Sequence, residues 1–167
     1  MKLLLRQPDR LVFALSSREK TLLENLMVFF PMRPDNPPIL SREPDARLTE
    51  ATDLLQSNLR EQRAELAGWI RTHLSPEGAL RPHGEAWILT LSGADTERLL
   101  QVLNDLRVGA WHKLGCPEDI DGSRLATSPS QAPLFMIMTL AGQFEMVLLA
   151  AGHADAVDPE DRPPEPA

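Results

Sequence analysis

The segment Trp87–Gly115 constrains the fold most strongly, because it predicts a short strand, a turn and a long capped helix in direct succession. Along Trp87–Leu91, tryptophan and leucine occupy every second position, which is typical of a strand with one buried face. Ser92-Gly93 breaks the strand, and Asp95 is placed to cap the helix that follows. Gly115 predicts the left-handed end of that helix.

The N-terminal part predicts a β-hairpin followed by a helix. Two short apolar runs, Lys2–Gln7 and Arg10–Leu15, flank a Pro-Asp turn, which is the pattern of two paired strands. Ser16 and Glu19 have the spacing of a capping box, and an apolar helix follows them.

Two further helices and two loops are predicted. A long helix with a narrow leucine stripe is expected from Thr49 to about Leu74, and a helix that is apolar on nearly every side is expected over Leu134–Ala151. The proline-rich residues 31–47 and the segment Ser75–Glu85 are expected to be loops.

The predicted fold is therefore α+β. We expect a small antiparallel sheet of about three strands, the N-terminal hairpin plus Trp87–Leu91, packed against about four helices with the apolar C-terminal helix at the centre. A single domain is expected over residues 1–153. Residues 154–167 are acidic and rich in proline, which predicts a disordered tail.

Charge and cysteine content exclude several classes of protein. The net charge is −7, of which the tail carries −4, so a nucleic-acid partner is not expected. The single cysteine, Cys116, permits no internal disulfide. The N terminus lacks the apolar core of a signal peptide, and no run reaches the roughly 20 apolar residues of a membrane span. We expect a cytoplasmic protein that has no membrane partner.

One arginine of the predicted 95–115 helix stands out on a helical wheel. Arg107 falls inside the apolar arc with Asn104 at its edge, whereas Asp105 falls on the side expected to face solvent. Glu145 is the only acidic residue of the apolar C-terminal helix, so it too is a charge surrounded by apolar positions. Because an unpaired charge in a core is costly, we expect Arg107 and Glu145 to form a structural ion pair. The alternative is that Asn104, Arg107 and Glu145 form a site that binds a small molecule or an anion.

Structural roles are expected for three further residues of this helix. Gly109 costs about 1 kcal/mol relative to alanine in a helix interior. We interpret it as the place where another helix crosses closely. Gly115 ends the helix, and Trp111 is assigned to packing.

The sequence offers few catalytic residues. His112 and Cys116 are four apart, but Gly115 ends the helix between them, so they need not share a face. Two such ligands would not complete a zinc site. There is no P-loop and no glycine-rich dinucleotide motif. We therefore predict no metal and no cofactor, and a non-enzymatic protein is favoured over an enzyme.

Two segments resemble an uncharacterised bacterial family, a domain of unknown function best known from actinobacteria. The family's L-N-D-x-R-L helix motif is matched by Leu103–Val108, and its L-x-x-x-E-x-x-L-L-x-x-L segment is similar to Ala14–Leu26. The apolar C-terminal helix corresponds as well. The resemblance implies no established activity, although the family's genes are often found beside a Clp-protease adaptor.

These observations favour a non-catalytic protein-interaction or regulatory protein, with a link to regulated proteolysis suggested by the resemblance. The expected partner is another protein or a second copy of the chain. Leu54 and Leu55, with Leu59 and Trp69, give the long helix more apolar breadth than a small sheet can readily cover. Met136, Met138 and Met146 of the last helix suit either an irregular core or a helix surface that receives a partner. A transcription factor is the weakest candidate, because the chain is acidic and shows no recognisable reading helix.

Overall fold

The computed structural model describes residues 1–33, 46–75, 77–118 and 128–153. The predicted tail 154–167 and most of the predicted proline-rich loop lie outside these residues. In chain order, the elements are β1 (Lys2–Gln7), β2 (Arg10–Ser16), α1 (Ser17–Met27), α2 (Ala46–His73), β3 (Leu80–His83), β4 (Ala86–Ser92), α3 (Gly93–Lys113) and α4 (Ala132–His153).

The strands form an antiparallel sheet in the order β1-β2-β4-β3, with four helices in the described part of the chain. The predicted α+β arrangement is confirmed. β2 and β4 pair in the middle, where Phe13 lies opposite Leu89. Both of these side chains are fully buried.

One strand, β3, was expected to be part of a loop. It falls inside Ser75–Glu85 and pairs with β4 through a hairpin in which His83 lies opposite Ala86. Gly84 adopts a φ of 60° in the two-residue connection, a conformation that favours glycine. The expectation failed because β3 is a short edge strand that contains Pro82, and a proline is tolerated at an edge.

Capping residues explain where α1 and α3 begin. The predicted capping box of Ser16 and Glu19 is present at α1. At α3 the N-cap is Ser92, so the prediction that Asp95 caps the helix is corrected: Asp95 is the third helical residue and completes a capping box with Ser92. At the other end Gly115 adopts the expected left-handed conformation, with a φ of 87°.

Asp95 also fixes the end of α2 against the start of α3. Its Oδ1 accepts a hydrogen bond of 2.9 Å from Trp69 Nε1, and His73 Nε2 lies 3.9 Å away. Burial alone would raise the pKa of Asp95, but the hydrogen bonds from Ser92 and Trp69, together with nearby His73, hold it below its ordinary value.

The core lies between one face of the sheet and α1 and α3, and α4 packs chiefly against α3. Leu99, Val102, Leu103 and Leu106 of α3 are all fully or almost fully buried. α4 is apolar, as expected, but it covers the core with one side only. By length and composition α4 is the one described helix that could cross a membrane, a test that core helices of soluble proteins also pass.

Candidate functional site

Arg107 and Glu145 meet where α3 packs against α4. Arg107 Nε lies 2.7 Å from Glu145 Oε2, and Arg107 Nη2 donates to Asn104 Oδ1 at 3.1 Å. The three residues singled out from the sequence are therefore close together. Gly142 of α4 lies beside the arginine, and a Cβ there would be in ordinary van der Waals contact with Arg107 Cδ at 3.5 Å.

The burial of this pair differs from the expectation. Glu145 is buried, with 12% of its side chain exposed, whereas Arg107 is 46% exposed. Arg107 lies in the apolar arc of α3, but its long side chain runs along the edge of α4 and reaches solvent. Burial raises the pKa of Glu145 above its ordinary value, and the charge and hydrogen bond of Arg107 oppose that rise.

The outward side of α4 forms a wide, open and mostly apolar groove of about 550 Å³ beside this ion pair. We call it the α4 groove, and it is lined by Arg107, Gly142, Glu145, Met146, Leu149 and Ala150. Met146 is 65% exposed and Leu149 is 46% exposed; Met136, nearer the start of α4, is 58% exposed. Of the three methionines considered from the sequence, Met138 packs against the core, whereas the exposures of Met136 and Met146 fit a receptive helix surface better than a core.

Asp105, expected to face solvent, is buried on the other side of α3. Its Oδ1 accepts hydrogen bonds from the backbone N–H groups of Met32, at 2.7 Å, and Arg33, at 3.3 Å. Its Oδ2 lies 3.5 Å from Arg63 Nη2. The solvent prediction was wrong because the chain that leaves α1, together with α2, covers this side of α3.

Gly109 lies one helical turn after Asp105 and packs against the same segment, the residues that follow α1. A Cβ on Gly109 would lie 2.7–2.8 Å from three atoms of Met32, including its backbone carbonyl carbon. The close packing predicted for Gly109 is present, but the segment after α1 makes the approach instead of another helix. In the sequence, Gly109 was the available signal that this side of α3 is covered.

A cleft of about 170 Å³ opens next to Asp105, between α2 and α3. We call it the Asp105 cleft, and it is lined by Phe30, Arg33, Leu59, Gln62, Arg63, Leu66, Gln101, Asn104 and Asp105. Gln62 Nε2 donates to Gln101 Oε1 at 3.2 Å and so links the two helices. The Nε atom of Arg33 is buried, and among the described residues it has no hydrogen-bond partner.

The remaining residues considered from the sequence lie near the end of α3. Cys116 Sγ lies 3.4 Å from His112 Nδ1, because the chain turns back after Gly115. Neither residue lines the α4 groove or the Asp105 cleft. Trp111 Nε1 donates to the carbonyl of Pro117 at 3.3 Å, a contact that fits its structural assignment. Within the described ranges, no group of three His, Cys, Asp or Glu residues is placed to hold a metal ion.

Comparison of the chain with protein-family models, curated proteins and solved structures finds no match. The function is therefore inferred from the surfaces that α3 and α4 present.

Proposed function

We propose that the protein is a non-catalytic protein-interaction or regulatory protein and that its partner docks in the α4 groove. The observation that carries this proposal is the exposure of Met146 and Leu149, which line the groove on the outward side of a helix whose other side forms part of the core. Large apolar side chains that share a surface groove are typical of interaction sites.

The groove suits a helical segment of a protein partner. An amphipathic helix can place its apolar residues along the methionine and leucine side chains of α4. Methionine adapts to different partner shapes because its side chain is unbranched and polarizable. Arg107, half-exposed at the edge of the groove, gives a partner one charged contact that fixes its orientation.

The contacts of Asn104, Arg107 and Glu145 support a structural role for this trio over a ligand site. Arg107 donates from Nε to Glu145 and from Nη2 to Asn104, and Glu145 is compensated by Arg107. A ligand that took over the Nε donor of Arg107 would leave Glu145 buried and unpaired, which is costly.

The sequence resemblance extends the proposal to cellular context. The resemblance of Leu103–Val108 to the L-N-D-x-R-L motif supports a role near regulated proteolysis, and we expect this role to be cytoplasmic. A second copy of the chain is the other candidate partner. Leu54 and Leu55 of α2 are 64% and 51% exposed and form a second apolar surface on which two copies can meet.

The test is affinity capture from the native lysate with two matched variants. Met146→Glu places a charge in the α4 groove, and Leu54→Glu places the same charge on an equally exposed leucine of α2. We expect Met146→Glu to lose the partner that the parent and Leu54→Glu both capture, with unchanged melting temperatures. Loss in Leu54→Glu alone would move the docking surface to α2, and equal capture by all three proteins would contradict the proposal.

Light scattering of the same three proteins at micromolar concentration identifies the partner class. A dimer of the parent that Met146→Glu converts to a monomer would show that the groove binds a second copy. If the parent and both variants are monomers and Met146→Glu still loses the captured partner, the partner is a different protein.

A further inference from the structure

The sheet has one face that the described helices leave uncovered. α1 and α3 pack against the face to which Phe13 and Leu15 of β2 point, and both side chains are almost fully buried. Val12 and Ala14 alternate with them along β2 and therefore point to the opposite face, where both are partly exposed. A helix packed over these positions would bury them as well, so the described part of the chain leaves this face, which we call the open sheet face, uncovered.

An apolar strip crosses the middle of the open sheet face. Val12 lies opposite Leu5 of β1, and Ala14 lies opposite Ile88 of β4. Opposite residues of an antiparallel sheet point to the same face. Leu5 is 42% exposed and Ile88 is partly exposed, so the strip is accessible on three neighbouring strands.

The side chains of this face that are charged at neutral pH are all cationic. Lys2 of β1 lies opposite Ala14, and Arg81 of β3 lies opposite Ile88, so these two cations stand at the two edges of the sheet with the apolar strip between them. Arg10 lies on the same face, next to the turn between β1 and β2. All three cationic side chains are exposed.

No carboxylate among the described residues balances these charges. Arg10 donates to a side-chain amide and Arg81 to a backbone carbonyl, and within the described ranges neither they nor Lys2 form an ion pair. The nearest acids in the sequence, Asp9 and Glu85, lie in the turns and not on the strands. In a chain of net charge −7, the open sheet face is therefore a local region of positive charge that fits an acidic partner.

The spacing of the cations fits one helix. Lys2 and Arg81 are on the two edge strands, with β2 and β4 between them, so their backbones lie about 14 Å apart across the sheet. An α-helix with its side chains is about 10–12 Å across. A helix that lies along the strands therefore covers the apolar strip and places the residues of its two flanks beside Lys2 and Arg81.

We propose that the open sheet face binds an amphipathic helix of a partner protein whose apolar stripe has acidic residues on both sides. Burial of the apolar strip supplies affinity, and the complementary charges fix the orientation of the helix. An extended polyanion fits less well, because the net charge of −7 repels nucleic acid and anionic membranes and the face has no phenylalanine, tyrosine or tryptophan on which bases stack. The open sheet face is distinct from the α4 groove, so this proposal does not rest on the docking function proposed there.

The test uses two labelled helical peptides of about 18 residues, long enough to span the sheet, with the same leucine stripe. Glutamates flank the stripe in one peptide and lysines flank it in the other, and fluorescence anisotropy with the full chain measures binding at neutral pH. We expect the glutamate peptide to bind at least about tenfold more tightly, with NMR shifts of the amides at Leu5, Val12 and Ile88. Equal binding of the two peptides, no binding of either, or shifts confined to the α4 groove would overturn the proposal.

Charge reversal locates the binding. A variant with Lys2→Glu and Arg81→Glu changes two exposed side chains, so its melting temperature should stay close to that of the parent. It should bind the glutamate peptide at least about tenfold more weakly and the lysine peptide more tightly than the parent does. Lys113→Glu at the end of α3, outside the face, is the matched control and should bind both peptides as the parent does. If the double variant does not fold, Arg81→Gln replaces it, with an expected loss of about threefold.

Other occupants give distinct results. Unchanged affinity in the charge-reversal variant would overturn the assignment and leave the cations as protection of the sheet edges against aggregation. Vesicles of phosphatidylcholine and phosphatidylserine, or labelled oligouridine, that bind the parent when the glutamate peptide does not would also overturn it. A dimer of the parent that charge reversal converts to a monomer would assign the face to a second copy of the chain instead.

Discussion

Asp105 and Arg107 are two residues apart in α3, and each has the environment that the helical wheel gives to the other. Asp105 falls on the polar side of the wheel and is buried, while Arg107 falls in the apolar arc and is half-exposed. Asp105 accepts hydrogen bonds from backbone N–H groups of the segment after α1, and Arg107 reaches along the edge of α4 to Glu145.

The difference shows what a helical wheel leaves out. A wheel sorts side chains by direction, but burial depends on what covers each direction. Both sides of α3 are covered in the described structure, one by α4 and the sheet and the other by the segment at Met32 together with α2. A short acidic side chain is enclosed there, whereas a long arginine side chain extends to solvent.

The largest expected effect is at Asp105. Asp105→Ala removes the acceptor of two backbone N–H groups and leaves the largely buried Arg63 without this carboxylate. We expect a loss of about 2–4 kcal/mol in the free energy of unfolding, measured by denaturant melts. Asp105→Asn keeps an acceptor oxygen and should lose less. A loss in Asp105→Ala below about 1 kcal/mol would show that Asp105 does not anchor the segment after α1.

Substitution of Gly109 also tests the packing of the segment after α1 against α3. Gly109→Ala forces a Cβ against the backbone of Met32, and we expect a net loss of about 1–3 kcal/mol in the free energy of unfolding. Gly68→Ala in α2 is the control, because its Cβ meets only Arg71 Nη2 at 3.9 Å. That substitution should stabilise by up to about 1 kcal/mol through helix propensity. Stabilisation by both substitutions would contradict the close approach of Met32.

The Arg107–Glu145 pair should contribute less. A double-mutant cycle of Arg107→Met and Glu145→Gln is expected to give a coupling free energy of about 0.5–1 kcal/mol. The 3–5 kcal/mol typical of breaking a fully buried pair does not apply, since Arg107 is 46% exposed and therefore screened by solvent. A coupling near zero would show that the two side chains do not interact in solution.

The pH dependence contributed by Glu145 is expected to be the smallest effect. Its pKa is raised in the folded state, so stability from this group is fully present below its unfolded pKa and is lost as pH rises through the folded pKa. Glu145→Gln should remove this fall, and Arg107→Met should raise the pKa of Glu145 further. An NMR titration of the Glu145 side chain together with unfolding at several pH values measures both. A pKa of Glu145 that falls in Arg107→Met would contradict the assigned contact.

Much of the fold could be predicted because local signals agree with it. The capping residues at Ser16 and Glu19, the left-handed Gly115 and the alternation at Trp87–Leu91 each act within a few residues. β3 was missed because a four-residue edge strand with a proline carries little local pattern.

The site was less predictable because its contacts join distant parts of the chain. The meeting of Arg107 and Glu145 followed from two charges that each interrupt an apolar helix face. The Asp105 cleft had no such signal, since Arg33 and Asp105 are 72 positions apart and the wheel placed Asp105 in solvent. Only Gly109, one turn away, indicated that a neighbour approaches this side of α3.

The central claim is that the covered side of α3 holds the protein together while the outward side of α4 receives a partner. Site-specific photocrosslinking in the native lysate tests it most directly, with a photoreactive residue at Met146 and, as the control, at the exposed Glu61 of α2. The account predicts a discrete higher-mass product from position 146 and none from position 61. Equal products from both positions, or none from position 146, would contradict it.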